Sequence, residues 1–102
     1  MNHMEKLLEN MQTAMEVEYF CMSEDYGRTF HTHHEAIGVL LEEVDEVNLE
    51  ADVFSYAMGK CWDLIKEDKN PAEHFETMKE AALHAAAEWI QIAACCHKAM
   101  KT

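Results

Sequence analysis

Residues 32–65 read THHEAIGVLLEEVDEVNLEADVFSYAMGKCWDLI, and this run decides the fold class. Thr32 followed by Glu35 fits a capping box, in which a hydroxyl and a carboxylate satisfy free amides at a helix start. Beyond it, Ile37, Leu40, Val44, Val47, Ala51, Phe54, Met58, Cys61 and Ile65 recur at alternating steps of three and four. That spacing keeps one face of a helix apolar over about four heptads. At about 1.5 Å per residue the helix would run roughly 50 Å. Gly59 would permit a bend.

Upstream, Met4, Leu8, Met11, Met15, Tyr19 and Met22 keep the same spacing and predict a first helix over about 4–24. The methionines make that stripe an adaptable packing surface. Residues 23–32 hold Gly27 among polar neighbours and read as a loop, whose Tyr26 and Phe30 could close over a ligand. Downstream, Asn70 suits an N-cap, Pro71 the first helical position, and Glu73 a box-like partner. Phe75, Met78, Ala82, Ala85, Trp89, Ile92, Cys96 and Ala99 then mark a third helix. Trp62 and Trp89 fall in these patterns and are expected in a core or interface. With three glycines and one proline in 102 residues, the chain has too few turn residues for a sandwich or barrel. The expectation is one all-α domain over 1–102, a helical bundle of three main helices with one long central helix. The far half of that helix would leave apolar surface bare in a monomer, so dimerisation should complete the bundle.

The net charge of −12 argues against binding a nucleic-acid backbone or an anionic membrane, since both affinities are built from Lys and Arg. A small anionic substrate remains open if a divalent cation bridges it to the protein. No apolar run approaches the roughly 20 residues of a membrane span. The first ten residues, MNHMEKLLEN, do not read as a signal peptide. Cys21, Cys61, Cys95 and Cys96 have no CxxC spacing and read as small thiols in a reducing cytoplasm. His31, His33 and His34 precede the second helix, but no spacing here fits a standard zinc site.

The charge distribution is more informative than its sum. No Lys or Arg occurs between Arg28 and Lys60, while Glu35, Glu42, Glu43, Asp45, Glu46, Glu50 and Asp52 do. A solvated face usually mixes signs, because like charges one turn apart repel. Bound divalent cations are a natural offset. Glu43, Glu46 and Glu50 lie at helical spacing beside the apolar seam. On the third helix the equivalent stripe is His84, Glu88, Gln91 and Cys95. Antiparallel packing would let Glu88 face Glu43 and Glu46. A solvated glutamate stripe that binds nothing is the alternative.

The segment His34-Glu35-Ala36-Ile37-Gly38-Val39-Leu40-Leu41-Glu42-Glu43-Val44-Asp45-Glu46 resembles the first metal-binding helix of the MazG-like nucleotide pyrophosphohydrolases, whose signature is EExxE. Glu88-Trp89-Ile90-Gln91-Ile92-Ala93-Ala94 is similar to their second signature segment, in the form found in a phage and bacterial branch. The resemblance covers about Thr32 to Lys98. It implies an all-α, oligomeric protein, a homodimer or homotetramer, that uses Mg²⁺ to hydrolyse nucleoside triphosphates to monophosphate and pyrophosphate. It implies Glu43, Glu46 and Glu88 as metal ligands, with Glu42 as an additional acidic residue. Glu42 or Glu50 is the spare carboxylate that would orient the attacking water. The family pattern ExxD has Gln91 at its last position here. A carboxamide offers one neutral oxygen, so weaker metal affinity is the minimum consequence. If turnover is lost, a non-catalytic binding or assembly protein remains.

Overall fold

The computed structural model describes all of residues 1–102. It is all-α, with helices α1 (His3–Tyr26), α2 (His33–Lys66) and α3 (Ala72–Met100) and no strand. None of the three is long and apolar enough to cross a membrane.

Local chemistry sets the helix ends. Asn2 caps α1, its side chain accepting from the Glu5 N–H at 2.8 Å. The helix runs two residues past the predicted end and stops where Gly27 turns to φ 86° and donates its N–H to the Ser23 carbonyl. Only glycine adopts that conformation freely. The Thr32 hydroxyl accepts from the Glu35 N–H at 3.1 Å, the hydroxyl half of the capping box; the Glu35 carboxylate makes no return bond. Gly59 does not interrupt α2. Asn70 Oδ1 accepts from the Ala72 N–H at 3.0 Å. Pro71 stands just before the first helical residue, its carbonyl taking the N–H groups of His74 and Phe75.

The chain forms two compact units, Met1–Val44 with Trp89–Thr102, and Asp45–Glu88. In the first unit, α1 packs with the start of α2 and the end of α3. Phe30, Ala36 and Cys95 form its core, with Met22, Val39, Leu40 and Ala99 against them. The Tyr19 ring meets His97 edge-on at 4.6 Å, and its hydroxyl donates to the Arg28 carbonyl. Phe30 is not free to close over a ligand. It is buried, its N–H donates to Thr102 Oγ1 at 3.0 Å, and Lys98 Nζ lies 4.4 Å over its ring.

The second unit is a helical hairpin. Val47, Ala57, Cys61 and Ala81 are its buried apolar residues. Cys61 Sγ lies 3.8 Å from the Pro71 carbonyl and 3.7 Å from Met78 Sδ, which pins α2 to α3 near the turn.

The buried stripe differs from the predicted one by half its members. Leu40, Val47, Phe54 and Cys61 are buried or half-buried as expected, but Ile37, Ala51, Met58 and Ile65 are exposed. Ala36, Glu50, Ala57 and Leu64, each one residue earlier, take their places, and Glu43 is half-buried beside Val44. The same shift runs along α3. Met78, Ala85, Ile92 and Ala99 hold, while His74, Ala81, Glu88 and Cys95 replace Phe75, Ala82, Trp89 and Cys96. Alanines Ala36, Ala57, Ala81 and Ala94 are among the most buried residues. Small side chains let backbones approach closely, so they sit at the contact and push larger neighbours to its flank. Trp62 and Trp89, expected in a core or interface, remain 59% and 49% exposed.

Candidate functional site

The shifted stripe puts glutamates where apolar residues belong. In the Asp45–Glu88 unit, Glu50 and Glu88 hold two of its positions. The Glu50 side chain is 25% exposed, and its Oε1 lies 3.9 Å from His84 Nδ1. Glu88 is half-buried, and its Oε2 is shut off from solvent with no hydrogen-bond partner. A carboxylate oxygen in that state is unfavourable by about 1–3 kcal/mol or more unless a donor or cation reaches it. Glu46, one turn before Glu50, is exposed and off the buried stripe, and Glu42 is exposed as well.

Glu43 and Gln91 belong to the other unit, where the fold brings them together. Both line a pocket of about 280 Å³ with Glu18, Cys21, Asp25 and Cys95. An adjoining pocket of about 410 Å³ shares Glu43 and Cys95 and adds Glu35 and Lys98. Sequence reasoning treated α1 only as a packing helix and so missed Glu18 and Asp25. Their separation of seven residues, which keeps both on one helical face, was the available signal. It also missed Lys98, the one charged residue that is buried.

Burial pushes the Cys95 thiol up from its ordinary range, and Glu43 and Cys96 add to the rise while Lys98 pulls against it. Cys95 is therefore a protonated packing residue at neutral pH. Cys61 is also buried, whereas Cys21 and Cys96 are exposed.

No family model, curated protein or solved structure matches this chain.

No three His, Cys, Asp or Glu side chains are grouped so that they could hold a metal ion by themselves. Mg²⁺ does not need such a cage. It keeps several waters and is commonly held by one or two carboxylates plus substrate phosphate oxygens. The buried, unpartnered Glu88 oxygen suits a hard cation. His84 Nδ1, 3.9 Å from Glu50 Oε1, is beyond hydrogen-bond length and stands beside that carboxylate without bonding to it.

Proposed function

We propose that the chain is a Mg²⁺-dependent hydrolase that converts nucleoside triphosphates to monophosphate and pyrophosphate, working in the cytoplasm. The observation that carries the reading is the Glu88 Oε2 atom, buried on a helical stripe with nothing to bond to. Evolution of a plain scaffold would favour leucine or alanine there, because an unpaired buried carboxylate destabilises a protein. In this reading Glu88 and Glu46 supply ligand oxygens. Glu50 accepts a hydrogen bond from the attacking water and draws off its proton. Bound Mg²⁺ would neutralise the triphosphate and lower the pKa of that water.

Two measurements test the reading: calorimetric titration with Mg²⁺, and pyrophosphate release from a panel of ribo- and deoxynucleoside triphosphates. Wild type should bind Mg²⁺ and release pyrophosphate from at least one of them, and Glu88→Gln should do neither. A chain that binds no Mg²⁺ and releases no pyrophosphate from any nucleotide would leave a second reading. That reading is a non-catalytic helical assembly protein. The exposed Gln91, standing where the resembled motif has a carboxylate, favours it.

A further inference from the structure

Lysine is almost never buried unless a group of opposite charge holds its ammonium. Lys98, in the last turn of α3, is only 4% exposed. The ion pairs of the structure, at Lys66, Lys69 and His84, do not include it. The Phe30 ring, 4.4 Å from Nζ, is a weak substitute for a carboxylate. Thr102 fixes that placement. Its hydroxyl donates to the Lys98 carbonyl and accepts from the Phe30 N–H, both at 3.0 Å. The chain thus holds a buried cation in position without giving it an ion-pair partner.

Lys98 lines the cavity of about 410 Å³ in the first unit, a volume within the range of small-molecule sites. Met22, Phe30, Val39 and Cys95 give that cavity apolar walls, and Glu35 and Glu43 stand on its α2 side. Glu43 and Lys98 act in opposite directions on the Cys95 thiol, so both charges are felt at one wall. Glu35 is exposed at the start of α2. Glu18 and Asp25 line the adjoining pocket, and Lys98 is the cation of the two cavities. A purely anionic ligand would meet Glu35 and Glu43. A purely cationic one would be repelled by Lys98 and leave it unmatched. We infer that this cavity binds a small zwitterion with an apolar body, an α-amino acid with a hydrophobic side chain, whose carboxylate pairs with Lys98 and whose ammonium pairs with Glu35. Both contacts are charge-assisted hydrogen bonds, strengthened where water is partly excluded. The site lies wholly in the first unit and needs no Mg²⁺, whereas Glu46, Glu50 and Glu88 lie in the second.

Calorimetric titration of the full chain in EDTA, with L-phenylalanine as the probe, should give a Kd of roughly 0.1–1 mM. 2-Phenylethylamine lacks the carboxylate and 3-phenylpropionate lacks the ammonium. Each should bind about tenfold more weakly, since each leaves one charge of the cavity unmatched. Lys98→Met keeps the apolar stem and should abolish the preference for phenylalanine over 2-phenylethylamine. Glu35→Gln, at an exposed position, should abolish the preference over 3-phenylpropionate. Glu88→Gln should bind phenylalanine as wild type does, which separates this site from the hydrolase reading. A wild-type chain that binds no phenylalanine at about 10 mM overturns the inference. So does a truncated probe that binds as tightly as phenylalanine, or a preference that survives its substitution. If Lys98→Met does not fold, Glu35→Gln and the three probes decide.

Discussion

Glu88→Leu is the most direct test of the reasoning about the acidic stripe. In wild type, Oε2 of Glu88 is buried with no partner, at a position whose neighbours on the stripe are Ala85 and Ile92. Leucine removes the unpaired oxygen and its desolvation penalty and adds apolar contact of similar volume. Without metal the variant should be more stable by about 1–3 kcal/mol. In a domain of this size each kcal/mol moves Tm by about 4–8 °C, so a rise of at least a few degrees is expected. Mg²⁺ should reverse the order. A ligand at a hundredfold excess over its Kd stabilises the folded state by about 2.7 kcal/mol, a gain open to wild type and closed to the variant. The assay is urea unfolding followed by circular dichroism, for both chains, in EDTA and in saturating Mg²⁺. A Glu88→Leu chain less stable than wild type in EDTA would show that the carboxylate has a partner that holds it. Equal responses of the two chains to Mg²⁺ would show that Glu88 is no ligand.

Glu46→Gln removes one of the two proposed ligand oxygens and should weaken Mg²⁺ binding several-fold by calorimetry; unchanged binding would remove Glu46 from the metal site. Thr32→Ala removes the acceptor for the Glu35 N–H and should lower unfolding stability by about 1 kcal/mol, read from the urea midpoint. Thr102→Val leaves the Phe30 N–H without its acceptor and should cost about 1 kcal/mol or more, with local hydrogen exchange at residue 30 accelerated. The raised Cys95 thiol gives a pH dependence with a definite sign. The folded state holds that proton more tightly than the unfolded chain, so the contribution is full below the unfolded value of about 8.5 and is lost as pH rises through the higher folded value. Stability of wild type should therefore fall more steeply above about pH 9 than that of Cys95→Ala, and parallel curves would contradict the assignment.

Much of the architecture was legible because it is local. The Thr32 cap and the Asn70-Pro71 start each act within one turn of chain, and the three-four spacing reports a helix wherever it is packed. The candidate carboxylates were legible only as types. A run of acids without cations singled out Glu43, Glu46 and Glu50, but spacing could not say which of them lose water. Glu18 and Asp25 carried little signal, because their relevance depends on α1 lying beside Glu43 and Gln91.

The amino-acid sequence by itself determined three helices, the starts of the second and third, and an acidic stretch, since capping and periodicity are properties of neighbouring residues. The tertiary structure alone decided the phase of the helices. Their apolar bands are two rows wide, and either row satisfies the periodicity. Contact with another helix chose the row containing the alanines, because close approach there gains the most packing. That choice of one residue's rotation drew Glu50 and Glu88 onto the buried stripe and left Met58, Ile65 and Phe75 facing out.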